Sequence, residues 1–433
     1  VALIRPFHGI RYTRAAGELS SLIAPPYDVL DDAGKGALQA RSPHNIVAID
    51  LPHMPPKTAG PDAAYDRSAM TMQAWLKSGV LARDPRPALY PYAQTYEQAG
   101  RTFHRRGLIA LVRLSPFGKG EVVPHEKTYA GAIEDRIKLM RSTQAQLSPI
   151  FGLFSDPRNE VTSALYHDLA RPEASATLDG VRNDLWHVSD SSVINKVVDL
   201  LKDRPVYIAD GHHRYTTALQ FQAEAAAAAG GTLPPSHPAN YCMFVLVGMQ
   251  DPGLVILPTH RLLGGMGHFD IAALRRALGS NAVIEDVDVA QGDSAALAAL
   301  VAKRPPHTFG IYEGGSRRSY LLRLTNAKVL EALEPGQSAA WRDLDVAILQ
   351  RYLIDEVIAP TFARGGEISR GYTADGSQVA RMVDGAKYQV GLVLQSTPLH
   401  ALESLGKHNE VMPQKSTYFF PKLATGMVIN PLS

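Results

Sequence analysis

Cysteine is the scarcest residue in this sequence, with one in 433 positions. Cys242 stands in the apolar run YCMFVLVGM, so neither a disulfide framework nor a cysteine zinc site can form within one chain, and a reducing, cytoplasmic setting is expected. No run reaches the ~18 apolar residues that a membrane helix requires. The first residues, VALIRPFHGIRY, lack the apolar core of a signal peptide. A dominant charge is missing too: 44 Lys+Arg against 42 Asp+Glu leave a formal net charge of +2, interspersed along the whole length. Nucleic acid and membrane are therefore not expected as partners. The chain has no HExxH, CxxC or Gly-x-Ser-x-Gly and no GxGxxG after a strand, which removes zincin, cysteine-metal, α/β-hydrolase and dinucleotide-Rossmann chemistry. No internal repeat of useful period is present.

What the chain does have is helical and strand periodicity in alternation. ALYPYAQTYEQAGRTFHRRGLIALVRL alternates like two antiparallel strands joined by a Gly-containing turn. Apolar spacing predicts helices at about 62–78 and 132–144, and IFGLF reads as a buried strand. The segment 157–200 is less defined, with helices at VTSALYHDLA and SSVINKVVDLLKD. From 241 onward strands (YCMFVLVGM, LVILPTHRLL, HTFGIYE, SYLLRL, YQVGLVLQ, TGMVINPL) alternate with helices (DIAALRRAL, SAALAALVA, LDVAILQRYLIDEVI, TPLHALESLG). The fold class is mixed α/β. At ~100–200 residues per domain, two or three units are expected. The Gly/Pro stretch GGTLPPSHPA suggests a division near 230, giving 1–99 packed beside a core at 100–230, followed by a region 231–433.

The most informative stretch is PVYIADGHHRYTTAL, residues 205–219, where a strand turns into an alanine-rich helix. A helix N-terminus presents unpaired N–H groups and a partial positive charge, so it attracts anions such as phosphate. Gly211 lets backbone approach the anion, Arg214 offers a donor fork matched to phosphate oxygens, and His212 and His213 add donors that titrate near neutral pH, the alternative for the histidines being core residues satisfied by hydrogen bonds. Asp210 beside a phosphate requires a cation between them and reads as a magnesium ligand, or else as the helix N-cap.

This stretch, following the LSPIFGLF strand, resembles the ParB/sulfiredoxin nucleotide-binding fold. With APPYDVL, PHEKT, DRIKLM, ILPTHR and KSTYFFPKLATGMVI, nearly the whole chain is similar to a prokaryotic family known only as a domain of unknown function, number one thousand and fifteen. Sulfiredoxins carry a cysteine where this chain has His212, and ParB proteins continue into basic DNA-binding helices that are absent here. The free-serine kinases of the same fold carry the segment most similar to this one. The resemblance therefore implies a small-molecule phosphotransferase, a nucleotide-dependent kinase of a free hydroxy amino acid such as serine, using magnesium and ATP or ADP.

On that implication the remaining candidates take roles. Glu126 in PHEKT is the acid chosen as general base, or an exposed loop carboxylate or cap. The adjacent Asp135 and Arg136 point in different directions on a helix, so one member is expected to be solvated or ion-paired. Lys415, Ser416 and Thr417, with Lys422 beyond the aromatic strand, either close over a phosphate or carboxylate or form a solvated turn. His260 and Arg261 follow a strand as a second anion contact, and Asp28 in PPYDV is a partner for a substrate ammonium or a structural turn residue. Two other functions remain open: hydrolysis of a phosphorylated small molecule such as phosphoserine, with His212 or His213 as phosphoryl acceptor or acid, and nucleotide sensing without turnover.

Overall fold

The computed structural model describes residues 3–119, 121–126, 128, 130–363 and 365–432. The chain divides into two units, the first formed by Val1–Leu254 together with Pro421–Ser433 and the second by Val255–Phe420. Both are mixed α/β, as the periodicities predict.

Nine strands make the main sheet of unit 1: β1 (Ile4–Arg5), β2 (Tyr90–Gln98), β3 (Arg101–Arg113), β4 (Val122–Val123), β5 (Ile150–Phe154), β6 (Ala174–Leu178), β7 (Val181–Leu185), β8 (Val206–Asp210) and β9 (Tyr241–Gly248). Their order is β4-β8-β5-β9-β3-β2-β7-β6, with β1 paired to β3. The sequence explains the centre of this order. YCMFVLVG has no polar alternation, which suits a strand covered on both faces, and every residue of β9 is buried between parallel β5 and antiparallel β3. The expected hairpin is β2–β3, in register from Tyr90↔Ile109 to Gln98↔Arg101. Helices α1 (Asp62–Lys77), α2 (Ala130–Thr143), α3 (Ser191–Leu201) and α4 (His212–Ala228) occupy the periodic segments named above.

One pair of strands was not anticipated. β6 and β7 form a second hairpin inside the poorly defined 157–200 segment, joined by Asp179 and Gly180 at φ 48° and 78°. Asp-Gly is the residue pair such a tight turn demands. Conversely, TGMVINPL supplies only the short strand Asn430–Pro431, paired with Ala145–Gln146. The expected divisions at 99/100 and 230/231 both fall inside unit 1, where the Gly/Pro stretch merely links α4 to β9.

Unit 2 begins and ends on neighbouring strands. β10 (Val255–Leu257) pairs antiparallel with β17 (Tyr418–Phe420), and between them lie β11 (His260–Gly264), β12 (Ala282–Asp286), β13 (Thr308–Glu313), β14 (Arg318–Leu324), β15 (Ser369–Thr373) and β16 (Val390–Val393). The six form an antiparallel sheet in the order β12-β14-β13-β16-β11-β15. Helices α5 (Ser294–Val301) and α6 (Gly376–Asp384) bring Leu297, Val301, Val379 and Val383 onto Leu262, Tyr312 and Val393 of that sheet. The expected helix LDVAILQRYLIDEVI runs through 345–362, with Ile348–Ile358 in π-helical geometry.

Candidate functional site

β8 is paired with β5 through Tyr207↔Leu153 and Ile208↔Gly152, but then Asp210, not Ala209, faces Phe151. This bulge breaks the strict alternation of a strand. Val206 and Ile208 point into the core of unit 1, and without the extra residue Asp210 would follow them there. The bulge re-aims its carboxylate toward the start of α4.

Gly211 is the N-cap of α4 at φ 99°, ψ 27°, the left-handed region that favours glycine, and no side chain caps the helix. Asp210 is therefore not the cap. Its Oδ1 accepts from Lys422 Nζ at 2.8 Å and its Oδ2 from Arg214 Nη2 at 2.8 Å. Arg214 also donates through Nη1 to the Pro149 carbonyl. Burial pushes the Asp210 carboxyl up, but Lys422 and then Arg214 outweigh it and hold the group well below the usual carboxylate range. One charged carboxylate thus fixes two cations beside a helix N-terminus.

The histidines are not equivalent. His212 is buried, and its Nε2 accepts the backbone N–H of His125 at 3.1 Å, so that nitrogen carries no proton. His125 Nδ1 lies 2.6 Å from the Ile208 carbonyl, which only accepts, so Nδ1 is the protonated nitrogen there. The two rings meet edge to face at 4.6 Å. Burial, followed by the nearby His125 charge, lowers His212 well below its ordinary range, and burial lowers His125 as well. His212 is accordingly a neutral, buried residue that pins the loop carrying Glu126 to α4. This corrects the expectation that His212 titrates near neutral pH, and its occupied Nε2 is not placed to accept a phosphoryl group. His213, half-buried on the first turn, accepts through its carbonyl from Thr217 Oγ1 at 2.8 Å. Glu126 is half-buried next to His125 and raises that residue's proton affinity. Lys127 of the same motif lies outside the described residues.

Magnesium at Asp210 does not fit these residues. Both carboxylate oxygens already meet a cationic donor, so a dication there would stand against an ammonium and a guanidinium. Among the described residues no group of three or more His, Cys, Asp or Glu is placed to hold a metal ion.

Behind Arg214 lies a cavity of about 40 Å³, room for ordered water, lined in part by Asp50, Arg136, Ser148 and Cys242. Arg136 donates to Asp50 and, through Nε at 2.8 Å, to Asp135, while Ser148 Oγ lies 3.1 Å from both Asp50 oxygens. The guanidinium also sits 4.0 Å over the Tyr27 ring. Burial raises the Asp50 carboxyl, opposed by Arg136. The ion pairing expected of one member holds for both, but the expected divergence is corrected here: Asp135 and Arg136 are both buried and paired to each other. Arg136 falls on the same helical stripe as Ala132, Met140 and Thr143, and that spacing was the signal for it. Asp50, at the end of the short helix Val47–Asp50, carries no comparable signal. Asp28, next to Tyr27, pairs with Lys57 at 3.5 Å.

The remaining candidates belong to unit 2. Arg261 is fully buried and donates to the carbonyls of Thr259, Lys415 and Gln414 at 2.7, 2.8 and 3.1 Å, so it braces backbone and does not act as the anion contact expected. His260 is equally buried, its Nδ1 accepting the Leu394 N–H at 3.4 Å, and burial takes it down to about 4, which leaves it without the charge an anion contact needs. Ser416 Oγ donates to the Pro413 carbonyl within a turn where Lys415 is exposed at φ 57°. Thr417 precedes β17. Lys422, by contrast, belongs to unit 1 with Asp210.

A family described as "Protein of unknown function (DUF1015)" matches residues 4–347. No curated protein matches the chain. Among solved structures, a free serine kinase in complex with AMP is similar over 69% of this chain and 83% of its own at 10% identity and a TM-score of 0.33. A conserved hypothetical protein from Pyrococcus furiosus covers 72% and 92% at 11% identity and TM-score 0.33, and C-terminally truncated SbnI from Staphylococcus aureus covers 75% and 87% at 11% and 0.36. Likenesses this distant carry no functional argument.

Proposed function

Because the chain belongs to this family, whose description names no activity, we propose from the chemistry of its site that it is a nucleotide-dependent phosphotransferase acting on the hydroxyl of a small free amino acid. The observation that carries the reading is the β8–α4 junction, where an uncapped helix N-terminus is flanked by Arg214 and Lys422, both held by Asp210. Phosphate oxygens of ATP or ADP meet the backbone N–H groups of the first turn, the donors of Arg214 and Lys422, and His213. Asp210 keeps the two cations in place between turnovers and returns them when product leaves. Phosphoryl transfer needs little from the protein beyond positioning and charge neutralisation, which is what this arrangement supplies. Glu126 takes the proton of the attacking hydroxyl, and the His125 N–H to His212 bond is what fixes its loop. Asp28 is offered to the substrate ammonium. Serine is the first acceptor to test, because the 205–219 segment resembles that of free-serine kinases.

Phosphorus NMR tests this directly. The protein with ATP or ADP plus serine is expected to give phosphoserine, and Glu126→Gln to lower the rate by about 10²–10⁴-fold while nucleotide affinity is kept. Phosphate released from phosphoserine alone would identify a hydrolase instead. Nucleotide binding lost in Lys422→Ala, with no turnover of any hydroxy amino acid in the parent, would leave a sensor.

A further inference from the structure

Unit 2 contains a cavity of about 500 Å³ that shares no residue with the junction of unit 1. Its volume lies in the ~300–1,000 Å³ range of small-molecule sites. The wall is apolar at Leu344, Pro398 and Ala401 and polar at Ser396 and Ser404, with two carboxylates, Asp343 and Asp345. Among the described residues neither Lys nor Arg lines it, and His400 is the one imidazole on its wall.

The acid pair is organised by a residue under strain. His307 stands at φ 62°, an uncommon conformation for a side-chain-bearing residue, just before β13. Asp345 Oδ1 accepts its backbone N–H at 2.8 Å and meets its Nδ1 at 3.0 Å, while Asp343 Oδ1 meets its Nε2 at 3.2 Å. One imidazole thus bridges two carboxylates, and each bridge uses Oδ1. The hydrogen bond to Asp345 comes first among the effects that raise the His307 proton affinity, against burial. Within this bridge, even with that proton on, two carboxylates face one imidazolium.

We propose that this cavity binds a small organic cation, an ammonium-bearing ligand whose charge meets Asp343 and Asp345 and whose carbon skeleton lies on Leu344, Pro398 and Ala401. Anions are repelled by the acid pair, and a neutral ligand gains no attraction from it. The site is independent of the phosphotransferase reading and uses none of its residues.

Calorimetric titration of the full chain with putrescine and spermidine, and with uncharged 1,4-butanediol as the isosteric control, tests it. Saturable binding of at least one amine is expected, with none of the diol. Asp343→Asn, whose side chain is 75% exposed and so dispensable for folding, is expected to weaken the amine about tenfold. Ser404→Phe, which fills the cavity, is expected to abolish binding, and Lys422→Ala to leave it unchanged. Equal binding of amine and diol, no amine binding, or full affinity in Asp343→Asn would each overturn the assignment.

Discussion

At Asp210 a single carboxylate stands between two cations, so removing its charge leaves both uncompensated. Asp210→Asn is expected to cost roughly 2–3 kcal/mol at neutral pH, below the ~3–5 kcal/mol of a fully buried pair because the side chain keeps 23% exposure. Its folded-state proton affinity is depressed, so the contribution is complete above the unfolded value near ~4 and is lost as pH falls below it. Urea midpoints of parent and variant should therefore differ clearly at neutral pH and converge in acid. His212 and His125 are also depressed, and the same sign applies from a higher starting point. Stability should decline as pH falls below ~6.5, where the unfolded chain takes up protons that the buried rings refuse. Replacing His212 by Gln should flatten that decline in denaturation curves between neutral and mildly acidic pH. Asp210, Arg214 and Lys422 were each legible as candidates, but the link between Asp210 and Lys422 spans 212 positions and leaves no local pattern. The role of His212 was illegible for the same reason, since its partner is the backbone of His125.

The β8–α4 element was readable because a strand pattern, a glycine and a strong helix former follow one another without conflict. Its bulge was not, because Ile-Ala-Asp reads equally well with or without an extra residue. Gly211→Ala places a Cβ in left-handed geometry and 3.1 Å from the Arg214 guanidinium. A loss of about 1–2 kcal/mol is expected, and nucleotide affinity should fall with it as Arg214 is displaced. A melting curve reads the stability loss and a nucleotide titration of the same variant reads the affinity loss; unchanged affinity would show that the start of α4 does not hold the phosphates. The β6–β7 hairpin carries the opposite lesson. Asp179-Gly180 was in plain view, yet VRNDL and ASATL are too polar to look like strands: ASATL is the edge strand, and VRNDL beside it buries Asn183 and Asp184 against hydrogen-bond partners Gln94 and Arg182.

On the scale of the whole chain, periodicity sufficed for the mixed α/β class, whereas the division into units depends on which distant strands pair, and that is not a local property. Unit 1 is completed by residues that follow unit 2. Thr425 and Ala24 exchange backbone hydrogen bonds at 2.8 and 3.1 Å, Ile429 and Ile10 at 2.9 Å each, and Asn430 pairs with Gln146. Ending the chain after Phe420 is expected to remove exchange protection from the Ile10 and Ala24 amides, which donate to Ile429 and Thr425, while the β13–β14 hairpin stays protected. Uniform loss or uniform retention in hydrogen exchange would show that the returning segment does not have this local role.

The same return of the chain sets a timetable during synthesis. Asp210 and Arg214 leave the ribosome early, but the ammonium that shares their carboxylate follows only after all of unit 2 has been translated, a delay on the order of ten seconds. Until then the nascent junction has one cation where the finished molecule has two, and a chain that stalls within unit 2 never acquires the second.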